Sequence, residues 1–226
     1  MALDEQLVRY ARDLARVYAA QEETEAAWED ALVRLLEHRF PELEGHHRRI
    51  AYWVDHLNRA LGEPLPRRTL FRAARLHDIG LLALSDATVL AWTQAVAEGR
   101  KPEVAVRQAF LAHAPLGAEA LAALPGFAEG ALWVRHHHEA WNGEGGPEGL
   151  AGEAIPLGSR VLAVAEAFDC QTYLQKRLSV PAARERLAAL AGERLDPALV
   201  AAFLELPLES LFENLIWLEA HESPGD

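Results

Sequence analysis

Apolar residues recur at steps of three and four along nearly the whole chain, and no sustained alternation of apolar and polar positions interrupts them, so the pattern predicts an all-α protein. The opening stretch is the most regular: Leu3, Leu7, Tyr10, Leu14 and Val17 step by four, three, four and three. That is the spacing of a helical a/d seam. The seam weakens at Gln21 and Thr24 and resumes at Trp28, Ala31 and Leu35. Two readings of this N-terminal amphipathic helix stay open: it lies on its own domain, or it pairs with a second subunit in a homodimer. Phe40-Pro41 breaks the pattern. Proline favours the first turn of a helix, which predicts a new helix from there to about Ala60. GEPLP (62–66) and EGRKP (98–102) read as loops, LFRAARLHD as a helix between them, and Ser85-Asp86 as another helix start. Helices are predicted over 103–112, 115–124 and 128–138, followed by one long irregular segment at 142–156. A stretch of that length within a compact domain is usually functional or disordered. LGSRVLAVAEAFDCQTYLQ then returns to helix, and two short helices are expected to close the chain.

Composition narrows the class. Of 226 residues half are apolar and a quarter charged, enough to bury a proper core in one large domain or a domain with an appendage. The net charge is −12 and no Lys/Arg block is present. Bulk nucleic acid and anionic membrane are therefore poor partners, because both need a positive footprint. A small phosphorylated ligand remains compatible if bound cations supply positive charge locally. Cys170 is the single cysteine, so no disulfide framework exists. MALDEQLVRY lacks the layout of a signal peptide, and no apolar run reaches bilayer-spanning length. The expected compartment is cytoplasmic.

The chemistry concentrates in histidine and carboxylate. Residues 136–147 read HHHEAWNGEGGP, placing three of the ten histidines side by side before a glycine-rich turn. His77 and Asp78 are adjacent at the end of an apolar helix. Neighbours on a helix point about 100° apart, so both can reach one ion only where the chain turns. Gly80 fits such a helix end. Glu42 and His46 are four apart, hence on one face of the helix expected there. His113 opens the HAPLGAEAL helix, and His137 and His138 end a helix just before the irregular segment. Taken singly, each has a plainer reading as a surface polar group. Imidazole combined with carboxylate suits Fe, Mn, Zn or Ni rather than Mg or Ca.

The order of these groups is more specific than any one of them. E-x-x-x-H, then HDIG, then H-x-x-x-G-A, then HHE with a glycine-proline loop, then the carboxylate of RVLAVAEAFD resembles the HD-GYP family. That family is a branch of the HD phosphohydrolases known for hydrolysing the bacterial second messenger cyclic di-GMP. The resemblance runs from about Glu37 to Phe203, which divides the chain into an N-terminal helix (1–36), a candidate dimerisation element, and an HD-GYP-like phosphohydrolase domain (37–226). It implies an HD-domain helical bundle around a multinuclear metal centre. It implies as metal ligands Glu42, His46, His77, Asp78, His113, His137, His138 and Glu166, holding two or three divalent transition-metal ions, Fe or Mn first and Zn or Ni next. Asp78 would bridge ions and orient or deprotonate the attacking water. Asn142, Gly146, Asp169, Lys176 and Arg177 would face the substrate, and His47 and His136 would be bystanders.

Four positions depart from the family. Leu81 stands where a phosphate-contacting lysine follows HDIG, a loss of roughly 1.5–3 kcal/mol for a charged hydrogen bond. Asn142 replaces an aspartate, Gly146 replaces the tyrosine of GYP, and Glu166 replaces a shorter aspartate. The expected function is a metal-dependent phosphodiesterase that hydrolyses cyclic di-GMP to pGpG or GMP. The alternatives are a catalytically impaired, metal-binding signalling or scaffold module, and a phosphohydrolase acting on another nucleotide.

Overall fold

The computed structural model describes residues 2–98, 100–174 and 177–221. The three-four spacing becomes helix almost throughout. Among the described residues there is no strand, only an isolated bridge between Ala191 and Leu195. The longest helix, α1 (Ala2–Arg39), touches the rest of the chain through its C-terminal part. There Val33 and Leu36 are buried and Arg68, Arg72 and Arg75 of α3 (Arg67–Leu76) pair with Glu22, Glu25, Glu29 and Asp30. Arg39 ends the helix by donating to the Leu82 and Leu84 carbonyls at 2.6 and 2.8 Å. The a/d seam faces elsewhere: Tyr10, Val17, Trp28 and Leu35 are each about 60% exposed or more.

The core is built on α2 (His46–Ala60), which packs against α3, α8 (Leu157–Asp169) and α10 (Pro197–Leu204). At its centre Trp53, Phe168 and Phe203 meet edge to face, with centroids 5.0, 5.9 and 5.2 Å apart. Such pairs add about 0.5–1.5 kcal/mol each beyond their burial. Further along the chain, α7 (Ala128–Arg135) lies across α3, α6 (His113–Ala122) and α8. The helices α4 (Asp86–Ala97) and α5 (Val104–Leu111) pack together and flank this core. Three helices close the described chain rather than the expected two: α9 (Val180–Ala188), α10 and α11 (Leu208–His221).

Two boundaries differ from expectation in ways that reshape the site. Pro41 does start a helix, but only the 3-10 turn Pro41–Leu43. The chain then passes through Gly45 at φ +71°, and a Cβ there would stand 2.7 Å from Arg49 Nη1. The expected single helix from 41 to 60 is therefore cut, and α2 begins at His46. The helix expected over 128–138 stops at Arg135, leaving His136, His137 and His138 in a turn. At its far end α8 runs into a single π turn, Cys170–Leu174.

Gly80 has an ordinary backbone rather than the left-handed cap expected of it. What requires glycine is proximity, since a Cβ would fall 2.0 Å from the His113 carbonyl oxygen and 2.6 Å from the Gly117 nitrogen. The 3-10 segment Ile79–Ala83 is thereby seated on α6. Because rigid backbone meets rigid backbone, Gly80→Ala is expected to destabilise the domain by about 2–3 kcal/mol, read as a lowered midpoint in urea unfolding with unchanged slope.

Candidate metal centre

Helix ends present the imidazoles. His77, His113 and His137 lie at or just beyond the ends of α3, α5 and α7, and their Nδ1 atoms bond the carbonyls of Ala74, Phe110 and Val134, each three residues back. These carbonyls belong to last helical turns, where oxygens lack an intrahelical donor. A carbonyl can only accept, so each Nδ1 carries the proton and each neutral ring presents a bare Nε2. His46, in the first turn of α2, donates Nδ1–H to Asp169 Oδ2 at 2.7 Å. Asp169 also takes the Arg49 guanidinium at 2.7 and 3.3 Å, and that guanidinium lies 4.0 Å over the Tyr173 ring.

The bare nitrogens converge on Asp78. Its Oδ2 lies 3.3 Å from His77 Nε2 and 3.7 Å from His46 Nε2, and its Oδ1 lies 3.2 Å from His113 Nε2. His113 Nε2 is in turn 3.4 Å from His137 Nε2 and 3.2 Å from His138 Nε2. Two donor sets result, His46/His77/Asp78 and His113/His137/His138, with Asp78 between them, and a third set joins His77, His137 and Glu166. Lone pairs at such separations repel one another unless a cation lies between them. Bonds of about 2.1 Å at angles of 90–109° would put donor atoms about 3.0–3.4 Å apart. The donor set therefore fits transition-metal ions.

Burial and mutual repulsion keep His77, His137 and His138 neutral. His77 and His138 are held well below the usual histidine range, and His137 is lowered to about 4, by desolvation first and by neighbouring imidazoles next. For His46 and His113 burial also works downward, but the hydrogen bonds and charges of Asp169 and Asp78 outweigh it and raise them. Glu166, on the rim, is pushed up to about 7 by burial and then by the Asp78 charge. Burial also works to raise Asp78, yet the surrounding histidines, His77 foremost, hold it well below the usual carboxylate range.

Not every expected residue joins the centre. Glu42 is exposed on the 3-10 turn and stands in none of the donor sets, because Gly45 separates that turn from the helix bearing His46. Asp169, expected at the substrate, is fully buried behind His46 and orients it. Asn142 is exposed and closes a local turn with Glu144. Gly146 is buried, its amide on the His138 carbonyl. Arg177 is exposed, and Lys176 lies outside the described residues. Leu81 packs with Leu36, Phe40 and Val89 in a small apolar cluster. His136 contacts Glu148 at 2.9 Å, away from the centre. Its neighbour Glu139 accepts the amides of Glu148, Gly149 and Leu150 at 2.7, 3.0 and 3.2 Å, which anchors the glycine-rich loop. Sequence reasoning missed His47, Arg49 and Glu37. His47 is fully buried against Asp78, and only its adjacency to His46 signalled it.

The described residues thus form an all-α domain whose helix ends gather histidines around a His-Asp pair. The chain belongs to the HD domain family, whose model matches residues 6–199. It is 32% identical over 197 residues to a probable cyclic di-GMP phosphodiesterase of Vibrio cholerae, covering 77% of this chain and 42% of that protein. It is 30% identical over 191 residues to a cyclic di-GMP phosphodiesterase of Thermotoga maritima, covering 80% and 49%. A solved structure of a cyclic GMP-AMP-specific phosphodiesterase from V. cholerae superposes with a TM-score of 0.56 at 24% identity, over 79% of this chain and 46% of the other. That likeness shows the fold. The chain spans less than half the length of each of these relatives.

Bound metal competes with protons for the same atoms. Below about pH 7 Glu166 holds a proton that an incoming ion must displace, and the raised His46 and His113 add to that release. Above pH 7 Glu166 is already ionised and offers no further gain. Metal affinity is therefore expected to weaken at least about fivefold as pH falls from 7 to 6. Calorimetric titration of Mn²⁺ or Zn²⁺ across that range checks it.

Proposed function

We propose that this domain is a metal-dependent phosphodiesterase of cyclic dinucleotides, with cyclic di-GMP as its substrate and pGpG or GMP as product. The observation that carries the reading is one carboxylate, Asp78, directing its two oxygens to two separate histidine sets. Two divalent ions, if held by these sets, would supply a low-pKa water and positive charge for the phosphoryl oxygens. Asp78, kept ionised, would orient that water and accept from it, while the imidazoles would fix the geometry without adding charge. Glu166 closes the rim. The names of the relatives support cyclic dinucleotides as the ligand class, and the acidic surface makes the metal centre the natural landing point for a phosphodiester.

Leu81 is turned into an apolar cluster, so no phosphate contact comes from that position. Arg194 is the candidate replacement. It is exposed, makes no ion pair among the described residues, and lies close enough for its charge to act on Glu166. Its carbonyl also holds the Trp141 amide at 3.0 Å, tying its turn to the loop after the histidines. The eroded phosphate contact favours a second reading, a metal-binding module without turnover. One experiment separates them. Tag-free protein loaded with Fe²⁺ or Mn²⁺ is incubated with cyclic di-GMP and with 3′3′-cGAMP, and linear products are resolved chromatographically. Linear product from cyclic di-GMP is expected, with Arg194→Ala raising KM about tenfold at unchanged metal content. Metal retained with no linear product under any metal would overturn the cyclic-dinucleotide reading.

The exposed α1 seam supports its assignment as an intermolecular helix over a helix folded onto its own domain. Light scattering on the eluting protein should give a dimer mass, and Leu14→Glu with Val17→Glu should reduce it to the monomer. A monomer from the unaltered chain at micromolar concentration sinks the dimer.

A further inference from the structure

The expected bystander His47 has the environment of a ligand. It sits beside His46 in the first turn of α2, fully buried. Its Nδ1 lies 3.3 Å from Glu37 Oε1, and since a carboxylate only accepts, Nδ1 carries the proton and Nε2 is bare. That Nε2 is buried and has no hydrogen-bond partner, as is true of His77 Nε2. It points at Asp78 Oδ2 from 3.8 Å, the same oxygen that His46 Nε2 and His77 Nε2 approach from 3.7 and 3.3 Å. The three rings surround it with centroids 5.2 to 5.5 Å apart. A bare nitrogen shut away from water with nothing to accept is unfavourable unless an electrophile completes it.

We propose that His47 is a metal ligand of this centre, its Nε2 joining those of His46 and His77 beside Asp78 Oδ2, with Glu37 as the carboxylate that orients it. Glu37 does for His47 what Asp169 does for His46. In both, a carboxylate takes the Nδ1 proton, fixes the tautomer and makes the opposite nitrogen more basic. Glu37 also accepts the Gly45 amide at 3.2 Å, so the same oxygen holds the left-handed turn that starts α2. Because Glu37 belongs to α1, the long N-terminal helix reaches the metal centre through this side chain.

The consequence is chemical as well as geometric. With Glu42 exposed and His47 inside, a neutral imidazole stands in for a carboxylate, and the ligand charge falls to that of Asp78 and Glu166. Nitrogen-rich sets of this kind favour Fe²⁺, Co²⁺, Ni²⁺ and Zn²⁺ over Mn²⁺ and Mg²⁺.

This inference rests on the metal centre, not on the substrate, and its test uses no turnover. The full chain and its variants are titrated with Co²⁺ by visible absorption, and ions per chain are counted by elemental analysis. His47→Gln is expected to lose one ion or to weaken binding by a hundredfold or more, and Glu37→Gln to weaken it by about tenfold. Glu42→Ala should leave both readings unchanged. A folded His47→Gln that binds the same ions at the same affinity overturns the proposal, as does loss of an ion in Glu42→Ala. Should His47→Gln fail to fold, the unaltered Co²⁺ protein decides. Six hyperfine-shifted exchangeable imidazole protons, from His46, His47, His77, His113, His137 and His138, support ligation by His47, and five refute it.

Discussion

Everything in this fold answers to one electrostatic constraint: several uncharged imidazole nitrogens and one ionised carboxylate are packed together out of water. Neutral rings with inward lone pairs repel one another, and an unneutralised Asp78 would be costly at its depth. The arrangement is tolerable only if a cation, or protons on His46 and His113 in its place, sits among them. The fold meets the constraint with helix ends. Last-turn carbonyls at Ala74, Phe110 and Val134 need donors, and the histidines beyond them need their Nδ1 protons held. One hydrogen bond serves both, completing the helix and aiming the ring's Nε2 inward. This also explains why the converging residues come as adjacent pairs. His77-Asp78 and His137-His138 stand where the helix has stopped, so both side chains of a pair can turn inward.

Behind the inner ring a second ring of charge holds it in place. Arg49 is buried with its guanidinium split between Asp169, Glu219 and the Glu44 carbonyl, and stacked on Tyr173. Removing one partner of such a buried network typically costs about 3–5 kcal/mol, because the other is left unpaired. The damage would pass straight to His46 through Asp169. A bound ion adds its own free energy to the folded state and none to an unfolded chain that lacks the site. Metal and stability are thus one linked quantity, and the rigid contacts at Gly80 and Gly45 serve both.

The helices were legible because burial on one face repeats every three to four residues, and that requirement acts locally. Most of the residues that converge on Asp78 were legible because the order HDIG, H, HH and AEAFD, with His46 ahead of it, is long. What stayed hidden depends on tertiary contact. Glu42 and His46 look like one helical face until Gly45 turns left-handed over Arg49. His47 looks redundant beside His46, because helical neighbours diverge by about 100°, until Glu37 of another helix takes its Nδ1. Asp169 reads as a pocket residue, and only the placement of Arg49 shows that it faces inward. Leu81 reads as a lost contact, whereas it fills an apolar cluster with Leu36, Phe40 and Val89.

The glycine-rich loop follows the same logic from the open side. A backbone so free in φ would wander if nothing held it, and Glu139 holds it by taking three successive amides with one carboxylate. Trp141 and Asn142 are tied separately to the carbonyls of Arg194 and Glu193, and Gly146 to that of His138. The loop is therefore a fixed wall with few side chains, its buried position 146 carrying none. Position 146 therefore offers no ring for a base to stack on, and under the proposed function recognition of a ligand would fall to the metal centre and the charges at its rim.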